Sequence, residues 1–356
     1  MDFVASHWGL ALSSRSHFIA YALSFAVAAA LCAAILWTLL KTGWAWSLAT
    51  DIPNHRSLHT QPTPRVGGWG VVPVAVLGWL VWAPGLWAVA ALALCLALMS
   101  QIDDRRGLPA RVRFAGHLLA ACCVAYWAAD VRWWLLPVIV VALVWIMNLY
   151  NFMDGADGLA GGMTLVGFTA FALAAVPDGM PLAGGCFALA GAALGFLIFN
   201  LPPARLFLGD AGSVPLGFLA GALGLIGWRA GIWSALFPVL VFSPFLADAS
   251  VTLLKRLARG ERFWEAHREH YYQRMIRMQW HRGRVLAAWY AAMLAASAIA
   301  LFLTSATVTV QVCVATGWSL ALLGAGWKID DQWRRFGARA GQEAGLAASK
   351  GKDRNG

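Results

Sequence analysis

The chain has 356 residues and a formal net charge of +10, yet it is 60% hydrophobic and only 12% charged. Soluble domains carry roughly 25% charged residues, so the composition excludes an ordinary water-soluble domain and fits a multi-spanning membrane protein. Basic loops against anionic lipid headgroups account for the net charge, and no nucleic-acid partner is expected.

Apolar runs of about 17–25 residues are read as helices crossing a ~30 Å hydrocarbon core. In chain order they fall near 17–40, 69–83, 85–100, 114–129, 133–149, 163–177, 182–199, 213–228, 232–254, 285–303 and 306–326. The expected fold class is all-α, a polytopic membrane protein with about eleven transmembrane helices and a cytoplasmic active site. The first run is long and has no clear small-residue cleavage site before the basic loop, so it reads as a retained span rather than a signal peptide. Lys and Arg accumulate on the cytoplasmic side of short loops. With the N-terminus outside, all but Arg15, Arg132 and Arg229 of the 27 basic residues fall inside, together with the C-terminus and every acidic loop. Residues 1–327 are then the membrane domain and 328–356 a cytoplasmic tail, read as disordered. The six cysteines sit in apolar runs without zinc-binding spacing.

The polar loops carry the chemistry. The first holds Asp51, Pro53, Arg56, His59, Arg65 and Gly67-Gly68, where glycines let backbone N–H groups approach a phosphate; a positive-inside turn is the bland reading. The second begins Asp103-Asp104 at a helix end and continues with four arginines. Paired acids beside the negative pole of a helix need cations to compensate them. A nearby anionic phosphate would raise one pKa enough to make a base, and a surface salt-bridge cluster is the alternative.

The third loop is the most specific. Asn148, Asn151, Asp154 and Asp157 lie within ten residues, interleaved with glycines. Carboxylate and amide oxygens suit a hard divalent cation, and Mg²⁺ keeps only one or two protein carboxylates plus substrate phosphates. In the fourth loop, Asn200 precedes Gly209-Asp210-Ala211-Gly212-Ser213, where Asp210 either meets a cation or caps the next helix. A last large loop holds His267-Arg268-Glu269-His270, which reads as phosphate or sugar recognition or as an interfacial helix.

Together these loops resemble the polyprenyl-phosphate N-acetylhexosamine-1-phosphate transferase superfamily, also called glycosyltransferase family 4, over roughly residues 41–326. The third loop resembles its NxxNFMDGxDGLAGG signature, the fourth FNxxPAxxFxGDxGS and the second DDxxxL. The D-x-P-x-x-R-x-x-H of the first loop and the His-Arg-Glu-His element resemble the bacterial enzymes that start O-antigen or related surface polysaccharides. They are less similar to the phospho-muramoyl-pentapeptide transferase, whose corresponding loop has consecutive histidines.

The resemblance implies transfer of a sugar 1-phosphate from a UDP-N-acetylhexosamine to undecaprenyl phosphate at the bacterial inner membrane, releasing UMP. It implies Mg²⁺, with Mn²⁺ as the alternative, ligated by Asn151 and Asp210. Asp103 is expected as the base toward the lipid phosphate, with Asp104 supporting it. Asp154, Asp157 and Asn200 are expected at the nucleoside pocket, and Arg56, His59, His267, Arg268 and His270 at the diphosphate and sugar. A homodimer fits the family. The rival reading is a transporter coupled through intramembrane acids, which would place those acids near the midplane. Here they sit at span ends, with Asp248 the exception.

Overall fold

The computed structural model describes residues 14–53, 60–128, 131–177, 180–262 and 267–352. The helices in chain order are α1 (Ser14–Lys41), α2 (Trp44–Leu48), α3 (Gly67–Trp82), α4 (Trp87–Arg106), α5 (Ala110–Ala128), α6 (Leu136–Phe152), α7 (Leu159–Ala175), α8 (Met180–Asn200), α9 (Asp210–Arg229), α10 (Leu236–Val241), α11 (Ser243–Ala258), α12 (Tyr271–Arg277), α13 (Arg282–Phe302) and α14 (Val308–Lys352). The protein is an all-α polytopic membrane protein, and each apolar run read from the sequence carries helix. Among the described residues, seven helices are long and apolar enough to cross a membrane, and α3 and α7 are shorter apolar helices.

Two elements differ from the expectation. The run over 232–254 is broken at Phe242, and α11 restarts with Pro244 in its first turn, where the missing N–H costs nothing. At the other end, α14 continues unbroken for 45 residues, about 68 Å at 1.5 Å per residue. Residues 328–352, expected to be disordered, are therefore helical. Their many Ala, Glu, Gln, Lys and Arg residues suit a helix as well as they suit a solvated tail.

The centre of the bundle is α8 and α9. In each, 83% of the apolar window is buried, against 6% in the peripheral α14. α8 packs against α1, α3 and α7, while α9 packs against α4 and α6. Gly191 and Gly195 make the α1–α8 contact close: a Cβ on either would overlap a backbone carbonyl oxygen of α1, that of Phe25 or of Ala29. This is the small-xxx-small packing by which membrane helices associate without a hydrophobic drive.

Among the described residues there is one two-stranded sheet. Strand β1 (Thr50–Asp51) pairs antiparallel with β2 (Thr63–Pro64), Thr50 opposite Pro64 and Asp51 opposite Thr63. The next residue, Arg65, bridges in parallel to Phe207. The first polar loop is thereby tied to the segment leading into α9.

Candidate active site

The polar loops converge on a cavity of about 450 Å³, lined among others by Asp51, Arg65, Asn151, Asp154, Asp157, Asn200, Asp210, His267 and Arg282. Two helix ends meet there. Asn151 lies in the last turn of α6 and donates from Nδ2 to Asp210 Oδ1 at 2.8 Å and to Ser213 Oγ at 3.0 Å. Asp210 opens α9, where the helix dipole favours a carboxylate. Gly209 before it has φ +74°, a conformation glycine adopts without penalty. A Cβ there would stand 3.3 Å from Asp104 Oδ2, which places Asp104 over the start of α9.

The charges are unbalanced. The Asp104 side chain is 3% exposed and its Oδ1 stands 3.6 Å from the Arg65 guanidinium. Its Oδ2 is buried, and the carboxylate lies beside the Ala211 backbone N–H in the first turn of α9. Arg65 also holds Asp51 at 2.8 Å. Burial works against the Arg65 charge, but Asp51, with Asp104 and Asp210 behind it, outweighs burial and pushes its pKa up. Asp154 keeps part of its surface open to the cavity. Loss of water around it, then the Asp210 charge, raises its pKa well above the usual carboxylate range, against the pull of Arg65. Such an excess of buried negative charge is costly until a proton or cation enters.

The donor set suits a hard cation. The carboxylates of Asp154 and Asp210 and the carbonyl oxygen of Asn151 line the cavity with hard oxygen donors, with the Asp104 carboxylate close behind them. Among the described residues no three His, Cys, Asp or Glu stand together closely enough to hold a metal ion by themselves. Mg²⁺, which is completed by water and substrate phosphates, does not need such a group.

Other expected residues act on the walls. Asp157 accepts from the Ala204 N–H at 3.2 Å and faces Arg282 at 3.8 Å. Asn200 is a clasp: it accepts from the Gly158 N–H at 2.9 Å and donates to the Leu206 carbonyl at 3.0 Å, joining the loops before α7 and before α9. His267 lines the cavity. Its pKa is lowered to about 4 by burial first, then by His270 and Arg256, so it is neutral at physiological pH.

Four of the expected residues, Asp103, Asp104, Arg268 and His270, are not among those that line the cavity. Asp103 turns away from the cavity, accepting from the Leu108 N–H at 2.5 Å and pairing with Arg113 at 3.0 Å. Asp104 is the member of the pair on the Asp210 side. His270 is buried at the N-cap of α12, with Nδ1 3.3 Å from Asp248, and is not on the cavity wall. Arg268 is not there either; its carbonyl accepts from Arg277 at 3.2 Å. Arg56 and His59 lie outside the described residues.

The cavity also has walls that sequence reasoning passed over. Arg282 reads only as positive-inside charge, and Arg65 only as added positive charge in a loop suited to phosphate. Tyr272 and Gln273 line the cavity from α12, and their adjacency to the His-Arg-Glu-His element was the available signal.

The chain matches the glycosyl transferase family 4 model over residues 86–228. It is 34% identical over 278 residues to the decaprenyl-phosphate N-acetylglucosaminephosphotransferase of Mycolicibacterium smegmatis, covering 64% of this chain and 67% of that protein. It is 26% identical over 251 residues to a probable undecaprenyl-phosphate N-acetylglucosaminyl 1-phosphate transferase of Bacillus subtilis, covering 64% and 70%. A phospho-N-acetylmuramoyl-pentapeptide-transferase of Microcystis aeruginosa is 32% identical over 205 residues, covering 49% and 58%. The matched segment includes the Asn151–Asp157 loop and the start of α9, which line the cavity, while Arg65, His267, Tyr272 and Arg282 of its wall lie outside that segment. The chain belongs to glycosyl transferase family 4, the polyprenyl-phosphate N-acetylhexosamine-1-phosphate transferase superfamily.

Proposed function

We propose that the protein transfers an N-acetylhexosamine 1-phosphate, GlcNAc or a 6-deoxy relative, from its UDP-sugar to undecaprenyl phosphate, releasing UMP and starting an O-antigen or related polysaccharide. The reaction takes place on the cytoplasmic side of the bacterial inner membrane, with the N-terminus periplasmic. The observation that carries this reading is the convergence of Asn151, Asp154 and Asp210 with Arg65 and Asp104 where α4, α6 and α9 end or begin. A transporter would place its acids at mid-helix.

In the transfer, an oxygen of the lipid phosphate bonds to the β-phosphorus of the donor as the bond to the UMP oxygen breaks. One phosphoanhydride replaces another, so no ATP is needed, in keeping with a sequence that has no Walker A motif. Asn151 and Asp210 would hold Mg²⁺ or Mn²⁺, which supplies charge neutralisation for the diphosphate. The Asn151 amide nitrogen is engaged by Asp210 and Ser213, leaving its carbonyl oxygen as the ligating atom. Asp104, buried beside Arg65, takes the proton of the lipid phosphate and orients it. Arg65 and Arg282, both on the cavity wall, receive anionic oxygens of the substrates. Direct attack is favoured over an aspartyl-phosphate because a phosphate monoester needs only positioning and deprotonation.

The test uses purified protein, undecaprenyl phosphate, Mg²⁺ and a panel of UDP-N-acetylhexosamines, following UMP release. Release that needs lipid and metal and disappears in Asp210→Ala supports the reading and identifies the sugar. No release with any donor from folded protein overturns it.

A further inference from the structure

The helix α12 is seven residues long, too short to hold its shape unaided, yet Tyr272, Gln273 and Ile276 of this helix form one wall of the cavity. Something else must fix it. Its opposite side rests on α14 where that helix reaches and passes the ~20 residues that a ~30 Å membrane core requires.

Three positions on one face of α14 make the contact, spaced i, i+4 and i+7. Gly326 lets the Tyr271 ring approach, since a Cβ there would lie 3.0 Å from it. Asp330 accepts from Arg274 at 2.7 Å, from the Tyr271 hydroxyl at 3.2 Å and from the Lys255 ammonium. Trp333 places its ring under the guanidinium of Arg277, 4.7 Å from the centroid. Arg274 and Asp330 have side chains only 7% and 18% exposed, so this pair is not a solvent-screened surface contact. Tyr272, next in the chain to Tyr271, donates to the Phe152 carbonyl at 3.2 Å, one residue from Asn151.

We propose that Asp330 is a positioning residue for the transfer, holding the cytoplasmic turns of α14 against α12 and so setting the Tyr272–Gln273 wall that receives the donor. The inference rests on the transferase reading above. Loss of the contact loosens α12 and weakens donor binding more than it slows chemistry, because Asp104, Asn151 and Asp210 stand on other helices.

The experiment compares the full chain in detergent with Asp330→Asn, which keeps the shape and removes the charge, and with Asp331→Asn as control, whose partners are Arg334 and Arg335 on its own helix. Hydrogen exchange of residues 271–277 and the KM and kcat for the donor are measured. For D330N we expect faster exchange and a KM raised about tenfold, as for loss of one charge-assisted bond, at nearly unchanged kcat; D331N behaves as wild type. Should D330N fail to fold, Trp333→Ala gives the same readout. Unchanged exchange overturns the proposal, and faster exchange with wild-type KM overturns the positioning role. If the wild-type protein transfers nothing from any donor, the functional reading fails, while exchange alone still decides whether α14 braces α12.

Discussion

Asp103 and Asp104, consecutive in α4, give their carboxylates to different partners. Asp103 pairs with Arg113 and the Leu108 N–H across the α4–α5 turn, and Asp104 faces Arg65 over the start of α9. Their substitutions should therefore differ in kind. Asp104→Asn removes the proton acceptor and should lower kcat by about 10²–10⁴-fold with little change in melting temperature. Asp103→Asn should mainly loosen the turn, costing about 1 kcal/mol for a partly exposed pair, with turnover reduced far less. Steady-state UMP release and thermal unfolding of both variants separate the two. A larger turnover loss in D103N would restore the assignment that the motif alone suggested.

The Asn151–Asp210 hydrogen bond of 2.8 Å sets the distance between two proposed ligands of one cation. Replacing Asn151 with Ala should raise the Mg²⁺ concentration for half-maximal activity by at least about 10–100-fold, since that much is lost on removing even a group that only orients a ligand. Ser213→Ala, which removes only the second acceptor of that amide, should shift it less. Metal titrations of UMP release measure both, and an unchanged Mg²⁺ requirement in N151A would remove Asn151 from the ligand set.

How much of this was legible in the sequence depends on the kind of information required. Spans were legible because a 3.6-residue helix in lipid needs about 20 apolar residues, and the acidic loops stood out against them. The facing of Asp103 and Asp104 was not, because consecutive helical residues point about 100° apart and only the packing of α4 on α9 decides which one turns inward. Strands β1 and β2 are two residues each and far too short for a period-2 pattern. Asp330 falls in the segment read as a tail, and nothing local marks it, because its partners Lys255, Tyr271 and Arg274 are remote in sequence.

His267 gives a pH dependence with a definite sign. Its pKa is lowered from 6.5 to about 4, chiefly by burial, so the unfolded chain binds its proton first as pH falls. The contribution of neutral His267 to stability is complete above about pH 6.5 and is lost progressively as the pH drops through about 4. His267→Gln, which cannot charge, should flatten the fall in melting temperature across that window while leaving it unchanged at pH 7.5. Melting curves at half-unit pH steps measure this; identical slopes in wild type and variant would mean that the imidazole is not held neutral.

Asp248 is the one acid inside an apolar run, and its role is anchorage. It is 2% exposed and accepts from the Tyr271 N–H at 2.8 Å and the Tyr272 N–H at 3.2 Å, with His270 Nδ1 at 3.3 Å. A carboxylate at the start of α12 satisfies donors that the first turn of a helix leaves open. Asp248→Ala would orphan two buried N–H groups and should destabilise the protein by about 2–4 kcal/mol, lowering the melting temperature and loosening the Tyr272–Gln273 wall. Asp248→Asn, which keeps one acceptor oxygen, should lose less. If both variants melt as wild type but are inactive, Asp248 serves the chemistry and not the helix.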